Sequence, residues 1–436
     1  MNAMRIRRFG YPSASFFSYF VGKNVYAALA CASMGKTPLL PRLRNIYWEK
    51  WRDDEYPYIS LFLSPSIQTC TLVVNGNSDA VQLRLSLLPS LVWACPHVTH
   101  LILNGSSSPP WKEMEKALSA LRHWSSLQHL DLRSFPDASM LCVAKFPVLR
   151  KLTIGSPRQT GQEHLPMHVK GFTKLEYLKI SCSRIEFLVE LVSCMSQTPL
   201  QTLQLEFGHD PKAGQLSDLF MAMRRNISRS SLRHICISYN PYRTSLVEEE
   251  RSITLRELSP LLAFTNLLEV SITINFKFHL NKKNLRIMTS SWPHLRTLNL
   301  TSLRPSEYWP QISIHDFTSF LGYCPLLEEL TIAFDALEVA LSAEKPVRYE
   351  KIRALGVLHS PIGDPGKVAA FLSGIFPNLC SIDVFNCKEP GVRHIPDAIK
   401  ELERKWKEVG QLVKLFSLVR MQEKKYRLAN AGRLDR

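Results

Sequence analysis

The stretch ACASMGKT, Ala30 to Thr37, holds the residue types of a phosphate loop: a glycine for a tight turn, a lysine to neutralise phosphate and a hydroxyl to hold Mg²⁺. That chemistry needs a strand before the loop and a helix after it, because the first N–H groups of the helix cradle the phosphates. Here NVYAALACA, before the loop, has the character of a helix, and Thr37 is followed by Pro38 and Pro41. The segment reads as a helix end that turns into a strand. His164 and His168 have the four-residue spacing of a helical metal pair, yet Pro166 stands between them in a polar stretch, which makes them loop residues. There is no H-E-x-x-H, no G-x-S-x-G and no paired acid and base. The expectation is therefore a non-enzymatic chain with no catalytic, cofactor-binding or metal-ligating residues.

The elements explain why. CPHVTHLIL, FPVLRKLTI, FTKLEYLKI, WPHLRTLNL, CPLLEELTI and FPNLCSIDV all carry L-x-x-L-x-L, the strand of a leucine-rich repeat, loosely spelled. Thirteen copies begin at Leu43, Ile67, Val98, Leu127, Leu149, Leu175, Leu200, Leu232, Leu267, Leu295, Leu327, Ile352 and Leu379, about 28 residues apart on average. The alternating positions, which the choice of copies did not fix, are apolar in only nine of 39 cases. That is period-two alternation with one buried face.

Proline stands two residues before the start in seven copies and marks where each preceding helix stops. The intervening segments, such as WKEMEKALSALRHW, RIEFLVELVSCM and GKVAAFLSGIF, have apolar residues three and four apart and predict helices. Strand, helix, strand without reversal predicts an α/β leucine-rich-repeat solenoid: a curved parallel sheet on the concave side and helices on the convex side. Copy spacings from 22 to 35 residues make it irregular, with long loops near 155–170, 240–252 and 301–312. No repeat can bury enough to stand alone, so stacking is obligatory. The expected layout is a capping segment over 1–38, a solenoid of about 13 repeats over 39–390, and a basic amphipathic C-terminal helix and tail over 391–436. In the last, Ile399, Leu402, Trp406, Val409, Val413 and Phe416 form an apolar stripe suited to capping exposed core.

The chain of 436 residues carries 54 basic and 38 acidic side chains, a formal charge of +16, which favours acidic partners. Clusters at Arg224, Arg225 and Arg229, at Lys282, Lys283 and Arg286, and at Arg404, Lys405 and Lys407 lack interleaved aromatics and read as solvated helix faces. A basic nucleic-acid or anionic-surface binder is the alternative they leave open. The ten cysteines have no C-x-x-C pair and several fall in apolar runs, as reduced core thiols do. No apolar run is long enough to span a membrane, and a cytoplasmic or nuclear location is expected.

If the apolar strand positions face inward, their neighbours form one wall about 55–60 Å long. Its middle presents His100, His129, Asp131, Arg133, Lys151, Tyr177, Lys179, Gln204, Glu206 and His234, a mixed polar strip suited to hydrogen bonds and charge pairing with a protein. LLPRLRNIYWEKWRDDEYPYISLFLSPSIQTCTLVV, the repeats after it, and the closing ELERKWKEVGQLVKLFSLVRMQEKKY resemble the fungal group of F-box proteins with irregular leucine-rich repeats. The resemblance implies a substrate protein held on the repeats and an N-terminal F-box docked on the adaptor of a cullin-type ubiquitin ligase. Before Leu39 there is no Leu-Pro-x-Glu-type helix. The expectation is accordingly a substrate-recognition subunit, or a relative without the F-box, and no adaptor-contacting residue is carried over.

Overall fold

The structure is a computed structural model and describes residues 3–10, 22–35, 37–48, 54–74, 78–105, 111–132, 140–155, 170–182, 185–208, 211–239, 252–303, 310–340, 347–384 and 397–434. Most of the three expected long loops falls outside the described residues, as do Lys36, Arg133, His164 and His168. The chain divides into two compact units, residues 1–205 with 225–228 and residues 206–224 with 229–436. The division falls inside one strand.

In the first unit the strands are β1 (Arg8–Phe9), β2 (Asn45–Trp48), β3 (Thr69–Val73), β4 (His100–Asn104), β5 (His129–Leu132), β6 (Lys151–Ile154), β7 (Tyr177–Cys182) and the greater part of β8 (Thr202–Phe207). β1 to β7 are neighbours in chain order and all parallel. The second unit holds β9 (His234–Tyr239), β10 (Ser252–Ile253), β11 (Glu269–Ile274), β12 (Lys277–Phe278), β13 (Thr297–Ser302), β14 (Glu329–Thr331), β15 (Ala354–Leu358) and β16 (Ser381–Val384). There β10 and β12 form a parallel pair of their own, and the other six lie side by side in chain order, all parallel. Helical turns lead from most strands to the next, so both units have the α/β architecture of leucine-rich repeats.

Every one of the thirteen copies becomes a strand that starts two residues after its first apolar position. All pattern positions are buried except Ile382 and Val384 in the last strand. Period-two alternation therefore fixed the register. The strand β1 was not expected. It pairs Arg8 with Asn45 and Phe9 with Ile46, and Phe9 stacks on Phe62 with ring centroids 4.5 Å apart.

Where a proline precedes a copy, it acts through a turn. Cys95, Trp292, Cys324 and Phe376 each precede a proline and have left the helical region, with φ from −119° to −130° and ψ from 64° to 77°. This is what the proline ring imposes on the residue before it. The N–H of the first pattern residue then closes the turn by donating to that residue's carbonyl, as in Leu295 to Trp292 at 3.1 Å and Leu327 to Cys324 at 3.1 Å. Proline at the second position of the turn is pre-set for it. One short motif thus ends the helix and launches the strand.

Helix starts in the second unit are capped by side chains: Thr254, Asn281, Ser313 and Asp364 each accept from backbone N–H groups of the first turn. Two buried tryptophans satisfy their N–H on carbonyls of the preceding repeat, Trp124 on Cys95 at 2.8 Å and Trp292 on Leu261 at 3.3 Å. The C-terminal helix Asp397–Leu434 lies against the helix Pro365–Ile375 and against β16. Trp406, Val409 and Val413 are its buried residues, and Trp406 Nε1 donates to Ser360 O at 2.8 Å. It covers the last strand as a cap should. The helix Lys23–Ser33 ends on Met34 and Gly35, both with positive φ, and the chain turns toward β2. Among the described residues a helix, not a strand, leads into the phosphate-loop-like stretch, and no helix follows it before β2.

Candidate functional site

The register of β4 to β7 decides which outward side chains meet. His100 pairs with His129, His129 with Lys151, and Lys151 with Tyr177, so four of the expected residues form one row across four strands. One step along the strands, Ile102, Asp131, Thr153 and Lys179 form the second row. Gln204 on β8 joins the first row through the Tyr177 hydroxyl, which donates to Gln204 Oε1 at 2.9 Å. Lys151 and Lys179 are exposed, and His100, His129, Asp131, Tyr177 and Gln204 are half-buried. Arg133 lies outside the described residues. Glu206 and His234 belong to the second unit, both half-buried, and His234 pairs in register with Glu269.

The row is held in place. The His100 and His129 rings meet edge to face with centroids 4.0 Å apart, and His100 Nδ1 shares a hydrogen bond of 2.8 Å with Thr99 Oγ1. Burial, and then the Lys151 charge, lowers the pKa of His100; burial, then His100, Lys151 and Arg150, lowers that of His129. Both rings are therefore neutral near physiological pH, and with His100 Nδ1 engaged by Thr99 the free nitrogen of that ring is Nε2. The Lys151 ammonium sits 4.6 Å from the centre of the Tyr177 ring, an attraction between a cation and an aromatic face. Beside the row, Arg150 donates to Glu176 at 2.9 Å, an exposed ion pair that places opposite charges at the N-terminal ends of β6 and β7. The arrangement offers donors, acceptors, two ammonium groups and one carboxylate on a rigid sheet.

Thr99, Thr153, Arg150 and Glu176 were absent from the sequence-based strip. Thr153 could have been found by counting alternate positions, since it lies between Asp131 and Lys179 in the second row. Arg150 and Glu176 occupy the position just before the strand, where the alternation rule does not yet apply. The basic clusters behave as solvated helix faces: Lys282 pairs with Asp316 at 3.1 Å, Arg404 with Glu401 and Lys407 with Glu403 at 2.6 Å, and Arg286 lies over the Tyr323 ring at 5.3 Å.

Within the second unit, a cavity of about 70 Å³ has mostly apolar walls that include Phe278, Leu300, Ile332 and Leu358, with His359 among its lining residues. Burial pushes the His359 pKa down to about 4. Leu358, the residue before it, has a left-handed φ of 51° where the pairing of β15 with β16 shifts register. Among the described residues no cluster of His, Cys, Asp and Glu could hold a metal ion, and no helix is long and apolar enough to cross a membrane. The described cysteines are free thiols, most of them buried.

No known protein family matches the chain, and no curated protein is similar to it in sequence. Among solved structures it is similar to a chain of the yeast Rad7 and Elc1 complex, at 14% identity and a TM-score of 0.40, over 86% of this chain and 88% of that one. It is also similar to an internalin from Listeria monocytogenes, at 11% identity and a TM-score of 0.34, over 84% and 91% of the two chains. A leucine-rich-repeat protein of Leptospira interrogans has 14% identity and a TM-score of 0.33, over 81% and 98%.

Proposed function

We propose that the chain is a non-enzymatic protein-binding scaffold that holds a partner protein on the outward face of β4 to β8. The observation that carries this reading is the in-register row His100, His129, Lys151, Tyr177, closed by the hydrogen bond to Gln204. A row fixed before binding loses little side-chain freedom when a partner arrives, which favours affinity. Its hydrogen-bonding groups and lysines suit a partner segment rich in carboxylates and carbonyls. The finer reading is a substrate-recognition subunit of a cullin-type ubiquitin ligase, or an F-box-less relative, and it rests on the resemblance of the 39–74 stretch, the repeats and the closing segment to that family.

Affinity purification with quantitative mass spectrometry tests both levels. Proteins captured by the wild-type chain and lost by the Lys151→Glu, Lys179→Glu double variant, with an unchanged melting temperature, support the face as the binding site. Equal capture by both chains overturns it. Recovery of the ligase adaptor and cullin supports the finer reading, and their absence beside a retained substrate leaves only the scaffold.

A further inference from the structure

The C-terminal helix has two different halves. From Asp397 to Gly410 it carries four basic and four acidic residues, tied together by Lys400–Asp397 at 2.8 Å, Arg404–Glu401 at 2.6 Å and Lys407–Glu403 at 2.6 Å. From Gln411 to its end at Leu434 it carries six basic residues and one acidic residue. Its docked face continues into this second half: Val413 is buried, and the Arg420 guanidinium donates to Ser373 Oγ at 2.6 Å and to Ala370 O at 3.0 Å.

Turned away from that face is a second apolar stripe. Leu412, Leu415, Val419, Gln422 and Tyr426 follow one another at steps of three, four, three and four, the spacing of a coiled-coil seam. Leu415 is 56% exposed, Val419 45% and Tyr426 72%, with Leu418 at 54% beside them. Val413 and Leu415 lie about 200° apart around the helix, so docking to the repeats leaves the stripe open.

We propose that this stripe is a coiled-coil seam for an acidic amphipathic helix of a partner protein. The charge decides the occupant. A second copy would set one strongly basic segment against another, whereas an acidic helix would meet complementary charge at Lys414 and Lys425, on the Leu418 side of the seam, with Glu423 as the single opposing charge on the other side. A lipid surface is the other anionic occupant this face could meet, since Met421 is also 55% exposed beside Leu418, and the test below separates the two. Gln422, the one polar seam residue, would fix the register of the pair.

The test uses the full chain and two synthetic helices of three heptads, both with Ile and Leu at the seam positions, one flanked by Glu and the other by Lys. Fluorescence anisotropy should give at least tenfold tighter binding of the Glu-flanked helix. The Leu415→Gln, Val419→Gln variant should lose at least tenfold in affinity while melting as the wild type does, and Lys425→Glu should weaken binding about threefold. Equal binding of the two helices, or unchanged binding by the double glutamine variant, overturns the proposal. So does a dimer in sedimentation that the same substitutions abolish, or stripe-dependent binding to phosphatidylserine vesicles stronger than binding to the helix.

Discussion

The outward faces of the two units differ although the backbone beneath them is the same. On β4 to β7 the first two outward positions read His100, His129, Lys151, Tyr177 and Ile102, Asp131, Thr153, Lys179. On β9, β11 and β13 the same positions read His234, Glu269, Thr297 and Cys236, Ser271, Asn299. The second set is small and mostly uncharged, and part of it satisfies itself, with Asn299 Nδ2 donating to Ser271 Oγ at 3.2 Å and Thr301 Oγ1 donating to Asn299. The parallel ladder supplies position in both units, and among the described residues of these strands it is the first unit's outward positions that carry lysine and tyrosine. On the proposed reading, what sets the binding face apart is the alternate positions and not the repeat.

The largest effects lie inside, where the two units should behave alike. Leu178→Ala and Leu298→Ala both empty fully buried strand positions and should each cost about 2–5 kcal/mol in chemical unfolding. Outside, the units should part. Lys151→Glu with Lys179→Glu should weaken partner binding by about tenfold or more in titration calorimetry, whereas Glu269→Lys with Glu329→Lys should change it less than about twofold. Tyr177→Phe removes the hydrogen bond to Gln204 and should cost about 0.5–1.5 kcal/mol in the same titration.

A fourth expectation concerns pH. His100 and His129 have pKa values below the usual 6.5, so the folded chain takes up protons less readily than the unfolded one. Their contribution to stability is full above about pH 7 and falls as pH drops through 6.5 toward the lower folded values. Replacing both by Gln should flatten that part of a melting-temperature profile. His359, held at about 4 by burial, acts in the same direction and should remain as the residual slope in the double variant.

Much of this was legible beforehand, for a physical reason. A strand with one buried face has a period of two, and three apolar positions in six residues fix its register, which is why all thirteen starts predicted their strands. Two residues show no period, so β1 was invisible. Seven of the ten strip residues were legible as outward positions of the first unit, because an outward residue is polar by default unless it packs; Arg133 lies outside the described residues, and Glu206 and His234 belong to the second unit. Which members of the strip touch was not legible. Tyr177 and Gln204 are one strand apart but 27 residues apart in sequence, and only the copy spacing, which varies, aligns them. The second stripe on the C-terminal helix was masked by the first, since both recur at three and four and the stripe that buries Trp406 accounts for the periodicity.

The most direct test is site-specific photo-crosslinking in the complex with a captured partner. A photoreactive residue at Thr153, in the middle of the first unit's outward face, should crosslink to the partner, and the same residue at Ser271 should not. Crosslinks from position 271 alone, or only from a position on the helical side such as Glu190, would contradict the account.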